Sequence, residues 1–276
     1  MPFAPAAVVD PIARTALPFG LFSVVTPRPA GDQRWENGVT WEPLACGPAS
    51  GIGEPDCDPE TPTVGLPKAF PVSGGADDAT AFTIYGSYEC SPIGHTLDYA
   101  QQRATEHLIA REEARAEQAV WTGDLGNTPN FSTAGTQVGG AHDPKLAVAI
   151  AEQYIAANYG SLGVIHMPRL LASVLLTEGT LEARGTRLFT KMGTPVVAGA
   201  GYPLTHPDGE TTGENWIVVT PALMTYRSEV FTATNRAGDL LDRQQNNLYG
   251  VAERRYLVAW DECPVPLAIQ VETVIV

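Results

Sequence analysis

The side chains most able to carry acid–base chemistry are histidines that stand beside carboxylates. His95 precedes Asp98 by three residues, and His107 directly follows Glu106. An imidazole next to a carboxylate can act as a general base. Both pairs, however, fall on the flank of a predicted helix, where such groups more often cap the helix or contact solvent. The sequence therefore predicts no catalytic residue.

Carboxylates alternate along one short run, EPDCDPE. Glu54, Asp56, Asp58 and Glu60 supply oxygen ligands of the kind that Ca²⁺ prefers. The run contains two prolines and lacks the glycine-containing loop of an EF-hand, so a solvated acidic loop is the favoured interpretation, and ion binding stays an open alternative. The five histidines form neither HExxH nor a Cys-His pair at ligand spacing. We therefore predict no metal site and no cofactor.

Two glycine-rich stretches partly resemble nucleotide-binding and hydrolase motifs, but neither matches its motif. GAGYPL, at 199–204, begins like a dinucleotide loop, but the third glycine is absent and Pro203 and Pro207 forbid the helix that should receive the pyrophosphate. GPASG places its serine one position too late for a nucleophile elbow. These stretches add no candidate active site.

The composition argues against nucleic-acid-binding, membrane-spanning and secreted proteins. The 276 residues are 44% hydrophobic, which is enough for a substantial core, and the formal charge of −14 would repel a nucleic-acid backbone. No apolar run approaches the length of a membrane span, and no secretion signal opens the chain. Four cysteines at no CxxC spacing are expected to be reduced: Cys46, Cys57, Cys90 and Cys263.

Any functional residues must be positioned by a chain whose first third differs from the rest. Residues 1–92 hold fourteen of the 23 prolines, so extended segments and turns are expected there. The stretch 47–78 reads as a long loop, and AFTIYGSYEC as a strand in which larger apolar residues alternate with smaller or polar ones. Together they suggest a β-hairpin that reaches out from the body.

One long helix follows, over 97–121. Thr96 is its predicted N-cap, and an apolar stripe including Ala100, Ala104 and Leu108 indicates one buried side. The opposite side is expected to face solvent, or to pair with charges on other subunits, and carries Arg103, Glu106, Arg111, Glu112, Glu113, Arg115 and Glu117.

The remainder predicts an α+β body. A second loop over 122–142 precedes a helix at 143–159, with Asp143 as N-cap and Pro144 at the first helical position. GVIHMP reads as a strand, RLLASVLLTEGTLEA as a helix and TPVVAG as a strand, and the last third is rich in strands. Strands and helices do not alternate as in a doubly wound fold.

Three stretches resemble the major capsid proteins of tailed bacteriophages, and those of actinobacteriophages in particular: RWENGVTWEPLACG, YECSPIGHTLDYAQQRATEHLIAREEARAEQAVWTG and NLYGVAERRYLVAWDECPV. The order of the predicted elements is also similar to that family's Hong Kong 97-type α+β fold. The resemblance implies five parts: an N-terminal arm at 1–46, an extended β-hairpin loop at 47–90, the spine helix and peripheral domain at 91–142, most of the axial domain at 143–225, and peripheral-domain strands with a C-terminal axial strand at 226–276.

The resemblance also implies a function. A non-enzymatic capsid subunit would assemble into hexamers and pentamers of an icosahedral shell, in the host cytoplasm and then as part of the virion. The shell would enclose double-stranded DNA without reading its sequence and would bind no membrane. A portal and a separate scaffolding protein are expected partners, since no long segment precedes the arm.

Contacts between subunits are then expected from the charged side of the long helix and from the arm and loop. The arm and the loop are expected to make almost no contacts within their own chain. The candidates are Arg103, Arg111, Glu112, Glu113, Arg115, Trp35, Trp41 and Lys68. The favoured interpretation of Lys68 is an exposed lysine that keeps the loop soluble. An amide crosslink from Lys68 to Asn246 or Asn247 of a neighbouring subunit is an open alternative.

Three other classes of protein are alternatives to a capsid subunit. An encapsulin-like shell shares the fold, but its expected cargo-binding helix at the N-terminus is incompatible with Pro2, Pro5, Pro11 and Pro18. A phage tail or decoration protein would rarely need the long helix. An enzyme with a divergent site near His95 would instead show one pocket with perturbed titratable groups.

Overall fold

The structure, a computed structural model, describes residues 15–29, 33–43, 76–133, 136–209, 215–232, 240–242, 244–261 and 266–272. The acidic run 54–60, Lys68 and most of the predicted loop at 47–78 lie outside these ranges, as do three of the cysteines. The fourth, Cys90, is a free thiol. Among the described helices, none combines the length and apolar character needed to cross a bilayer.

Four α-helices occur in the described ranges. They are α1 (Leu21–Val24), α2 (Leu97–Thr122), α3 (Pro144–Asn158) and α4 (Arg169–Thr177). Short 3₁₀ turns span Gln33–Asn37 and Phe131–Thr133. The strands are β1 (Arg28–Pro29), β2 (Val39–Trp41), β3 (Asp77–Ala79), β4 (Phe82–Cys90), β5 (Thr136–His142), β6 (Val164–Pro168), β7 (Leu181–Arg184), β8 (Arg187–Thr190), β9 (Pro195–Gly199), β10 (Trp216–Thr220), β11 (Leu223–Arg227), β12 (Phe231–Thr232), β13 (Leu241–Asp242), β14 (Asn247–Trp260) and β15 (Leu267–Val271).

The long helix α2 forms where the sequence predicts it. The Thr96 hydroxyl accepts a hydrogen bond from the Tyr99 N–H at 3.2 Å and so caps the N-terminus. Gly123 ends the helix in the left-handed conformation, with φ of 69°. The helix has 26 residues and is therefore about 39 Å long at about 1.5 Å per residue.

The first sheet is built on β14, whose fourteen residues make it the longest strand described. It pairs antiparallel with β4 over nine registered positions and with β11 on the other side, and β12 and β13 pair with it in antiparallel register as well. Helix α2 packs across β4 and β14. Glycines bring the backbones together there, because a Cβ on Gly86 would lie 2.5 Å from the Ala104 carbonyl oxygen, and one on Gly250 would lie 2.1 Å from that of Ala100.

The second sheet contains seven strands in the order β5-β15-β10-β6-β9-β8-β7. Every residue of β6 and of β10 is buried, as expected for central strands covered on both faces. Helices α3 and α4 contribute to the core on one face, where Ile155 and Leu171 meet Ile165 and Ile217. The Asp143 side chain caps α3 by accepting from the Lys145 N–H at 2.9 Å, and Pro144 stands at its start, as the sequence predicts.

Strands β2 and β3 form a separate two-stranded antiparallel ribbon. They come shortly before residue 44 and shortly after residue 75 in the chain, and Trp41 is registered opposite Asp77. Trp35 packs beside the ribbon with Ala79, against Leu257 and Ala259 of β14. The ribbon is therefore anchored on the first sheet.

Three sequence expectations differ from the structure. Strand β4 does not reach outward with the loop, because its whole length pairs with β14. The stretch predicted as a loop at 122–142 contains β5, which pairs in parallel with β15, although only Val138 in it is large and apolar. The third predicted helix stops at Thr177, since Gly179 turns the chain with φ of 77° into β7.

Candidate functional site

The histidine and carboxylate pairs drawn from the sequence do not form. The His107 Nδ1 lies 3.1 Å from the Ser87 carbonyl oxygen, while the Glu106 carboxylate accepts from Arg103 at 2.6 Å. His95 is exposed and stacks on the Tyr99 ring with centroids 4.7 Å apart. These contacts hold the surface of α2 together and leave neither imidazole next to a carboxylate. Among the described residues, no three potential metal ligands of the His, Cys, Asp and Glu types cluster.

The charged side of α2 is not a uniformly solvated face. Three of its carboxylates turn inward and contact distant parts of the chain, and we call Glu112, Glu113 and Glu117 the carboxylate row. Glu112 is 6% exposed and Glu117 is 1% exposed. The expectation that this row faces solvent is therefore wrong for both, because strands and the arm cover the side of the helix that was expected to be free.

Glu112 ties α2 to strand β14. Its two carboxylate oxygens accept from the Arg254 guanidinium at 2.9 and 2.8 Å, and the Tyr256 hydroxyl donates to it at 2.5 Å. Arg227 of β11 adds a more distant charge contact at 3.6 Å. Burial and the bond to the Glu112 carboxylate raise the pKa of Tyr256. The phenol therefore stays protonated and serves as a donor.

Glu113 and Glu117 hold the arm. Glu117 accepts from the Leu21 N–H at 3.0 Å with one oxygen and from the Gly201 N–H at 2.9 Å with the other, and Glu113 accepts from the Phe22 N–H at 2.9 Å. Leu21 and Phe22 open the first turn of α1, so the carboxylates satisfy N–H groups that the short helix leaves free. Burial raises the pKa of Glu117 to about 7, against the opposing effect of its N–H donors.

The described part of the arm is thus tied to its own chain. The Phe19 N–H donates to the Thr186 carbonyl, the Phe19 carbonyl accepts from Ala198, and Leu21 is fully buried. Strand β1 also pairs in parallel with β11. The expectation that the arm has almost no contacts within its own chain is therefore wrong for residues 15–29. The apolar stretch LFSVV is the signal that points to this anchorage, since it offers a buried leucine.

Most of the other described residues predicted to contact neighbouring subunits already have partners within this chain. Arg103 pairs with Glu106, and Arg115 pairs with Asp124 at 3.0 Å. Trp35 is buried in the chain's own core, and the Trp41 Nε1–H donates to Asp261 at 2.9 Å. Arg111 is exposed and makes no ion pair with another described residue. Contacts of these residues with other subunits stay a prediction, and Arg111 is the candidate most open to a partner.

Arg111 stands at the edge of an open groove of about 450 Å³ between α2 and the residues after β9. The GAGYPL stretch forms the other wall, where a Cβ on Gly201 would lie 1.8 Å from the Ala114 carbonyl oxygen. Glycine is required there for the close approach of the two backbones. The groove's wall residues are Arg111, Ala114, Arg115, Gln118, Ala200, Gly201, Tyr202 and Pro203.

A buried polar chain that the sequence did not indicate lies behind this groove. The Thr220 hydroxyl donates to the Pro221 carbonyl, so the His166 Nε2–H must donate to Thr220 at 3.0 Å, and the Tyr202 hydroxyl donates to His166 Nδ1 at 2.9 Å. Complete burial lowers the pKa of His166 to about 3. The imidazole is therefore neutral. Its only sequence signal is a histidine within the apolar strand GVIHMP.

This arrangement holds the described elements rigidly together. The His166 chain ends on a backbone carbonyl instead of a nucleophile, and the carboxylate row is occupied by backbone and guanidinium donors.

Large apolar side chains are exposed on the outer face of the first sheet. Tyr85 is 67% exposed and Phe231 is 66% exposed, and both are registered opposite Glu253 in one row across three strands.

Comparison with models of protein families and with curated proteins gives no match. Solved structures do match over nearly the whole chain. A chain from Mycobacterium phage Cain is 13% identical with a TM-score of 0.57, and covers 98% of this chain and 96% of its own length. A chain from Gordonia phage Cozz is 15% identical with a TM-score of 0.52, over 98% and 92%.

A third structure is described as the capsid of a native GTA particle. Its chain is 11% identical to this one with a TM-score of 0.55, and the match covers 98% of this chain and 96% of that one. The likeness covers both sheets and the long helix together, so it concerns the complete arrangement of elements. The chain therefore has the α+β fold of these phage and capsid chains, which confirms the fold class expected from the sequence.

Proposed function

We propose that the protein is a major capsid subunit of a tailed bacteriophage that infects actinobacteria. It would self-assemble into hexamers and pentamers of an icosahedral shell around double-stranded DNA, and its location would be the virion. The observation that carries this proposal is the match of the fold along 98% of the chain to a chain of a GTA particle capsid and to phage chains.

Features of the chain itself support an architectural role. The long helix is fixed to the first sheet by glycine contacts and by the buried Glu112–Arg254 pair, so it can act as a rigid strut. The exposed aromatic pair Tyr85 and Phe231 is of the type enriched at interfaces between proteins. The formal charge of −14 suits a wall that encloses DNA without gripping it.

The partners follow from the same role. A portal and a separate scaffolding protein would complete the assembly, with no membrane, cofactor or enzymatic step. The five-part division into arm, loop, spine helix, peripheral and axial domains stays part of this proposal. An encapsulin-like shell, which would have the same fold, is the alternative. The contents of the particles distinguish it from a phage capsid.

Negative-stain electron microscopy of the protein expressed with and without its neighbouring genes tests the proposal. We expect closed shells or capsomers of hexamer size, and a denaturing gel would reveal a Lys68 crosslink as a high-mass ladder. A monomer or small dimer under all conditions would overturn the proposal. DNA in the shells supports a capsid, whereas protein cargo would support the encapsulin-like alternative.

Arg111 offers a finer test of the contact candidates. Since its side chain makes no ion pair with another described residue, Arg111→Glu should leave the stability of the subunit within about 0.5 kcal/mol of the wild type. The same variant should reduce the fraction of protein in particles. Glu106→Gln, which changes a partly exposed charge on the same helix, serves as the matched control.

A further inference from the structure

The first turn of α1 rests on two carboxylates that stand one helical turn apart on α2. The Leu21 and Phe22 N–H groups, adjacent in the chain, donate to Glu117 and Glu113, and Glu117 also receives the Gly201 N–H. Gly20 makes this close approach feasible, because a Cβ there would lie 2.3 Å from a Glu113 oxygen and 3.0 Å from a Glu117 oxygen. The contact thus joins three segments that are far apart in sequence.

The surroundings of these carboxylates contain little compensating charge. Glu117 makes no ion pair with another described residue, and its donors are neutral backbone groups. Glu112 and Glu113 bring negative charge from α2 itself, Tyr202 faces Glu117 from the segment after β9, and Arg169 and Arg227 act on Glu113 from α4 and β11. A buried acid, Glu117, and a half-buried one, Glu113, therefore share a site in which the neutral form of Glu117 avoids the cost of desolvation.

We propose that Glu113 and Glu117 form a proton-controlled latch, which holds the first turn of α1 firmly on α2 at low pH and loosens it as the pH rises. Protonation does not remove the contact, because a protonated carboxyl group keeps acceptor capacity for the N–H donors while losing its charge. The latch belongs to a single chain, so it goes beyond the assembly function and does not depend on it.

The direction follows from linkage. Burial is the largest influence on both groups, and it raises the pKa of Glu117 from 4.5 to about 7 and that of Glu113 in the same direction. The docked state therefore binds more protons than an opened state in which Glu117 is hydrated. Docking is strongest below the ordinary pKa and weakens as the pH rises through about 7. Between pH 5 and 8 the titration of Glu117 by itself lowers the docking constant by about 70-fold when the opened state hydrates it fully.

The loosening is local. Arg169 still donates to the Pro18 carbonyl at 2.8 Å, and Arg187 to the Ser23 carbonyl at 2.9 Å, while Phe19 stays paired on both sides. These contacts join guanidinium or backbone N–H donors to backbone carbonyls, and no carboxylate or imidazole takes part in them. The amides that report the latch are therefore those of Leu21, Phe22 and Gly201, which donate to the carboxylates.

Hydrogen exchange measured by mass spectrometry on the full-length protein tests the latch, in whichever assembly state it is purified. Peptides covering 18–25 and 198–204 are followed from pH 5 to pH 8, with rates corrected for the intrinsic pH dependence of exchange. We expect protection of both peptides to fall as the pH rises, by about 70-fold when the opened state hydrates Glu117 fully. Protection that does not change with pH in the wild-type protein would overturn the proposal.

Variants identify the titrating group. Glu117→Gln should remove most of the pH dependence of protection, whatever its effect on the absolute level, and Glu106→Gln on the same helix should retain it. Glu113→Gln should move the midpoint to lower pH, because the Glu113 charge contributes to the raised pKa of Glu117. An unchanged slope in Glu117→Gln overturns the proposal, and if that variant does not fold, an unmoved midpoint in Glu113→Gln does so.

Discussion

Replacing Glu112 with glutamine tests whether the long helix depends on its buried ion pair. The substitution keeps the size of the side chain and removes its charge. The side chains of Glu112 and Arg254 are only 8% and 13% exposed, so solvent can do little to screen or replace their contact. The bond from the Tyr256 hydroxyl would also lose its charged acceptor. This is the perturbation with the largest effect expected on the subunit.

The magnitude follows from the cost of leaving one charge of a buried pair without its partner. Breaking such a pair is expected to destabilise the fold by about 3 to 5 kcal/mol. Arg227, at 3.6 Å and partly exposed, cannot replace the carboxylate because it carries the same charge as Arg254. The loss should appear in the free energy of unfolding of the full-length protein, measured in urea by tryptophan fluorescence.

Two further variants complete the experiment. Glu106→Gln breaks the half-exposed pair with Arg103 on the same helix and should cost no more than about 1 kcal/mol. The triple variant Glu112→Leu, Arg254→Met and Tyr256→Phe removes both charges together with the hydroxyl that donates to Glu112, and should recover most of the stability lost in Glu112→Gln. A cost for Glu112→Gln as small as that of the control would refute the reasoning, since it would show that the pair is screened like a surface contact.

Other parts of the fold give equally direct predictions. Gly201→Ala should destabilise the protein by at least about 1 to 3 kcal/mol, because the added Cβ meets a backbone carbonyl of α2 at 1.8 Å. Tyr202→Phe should cost about 1 to 3 kcal/mol by leaving the buried His166 Nδ1 without its donor. Because the pKa of His166 is lowered to about 3, this residue contributes stability that is full above pH 6.5 and is lost as the pH falls toward 3. The Glu117→Gln variant lacks the opposing titration of Glu117, so its urea midpoint should decrease steadily from pH 6.5 to 4.5. Asp143→Ala should cost about 1 kcal/mol by removing the N-cap of α3, which thermal unfolding can measure.

The sequence by itself determined the elements whose signals are local. Helix α2 follows from its periodic alanines and the Thr96 cap, and α3 from Asp143 and Pro144, because capping and periodicity act within a few residues. Strands with continuous apolar runs, such as β6 and β10, were predictable for the same reason. The overall fold class followed from the order of these elements and from three recognisable stretches of the chain.

Tertiary structure alone decided which charges are buried and which strands pair. Leu21 and Glu117 are 96 residues apart in the chain, and Glu112 and Arg254 are 142 apart, so no periodicity could show that they meet. A glutamate on a polar helix face has the same local pattern whether solvent or another segment covers it. Strand β5 likewise lacks an apolar pattern and exists because β15 supplies its hydrogen-bonding partner. Long-range packing thus turned a row of apparently solvated carboxylates into the contacts that hold both the arm and the first sheet on the long helix.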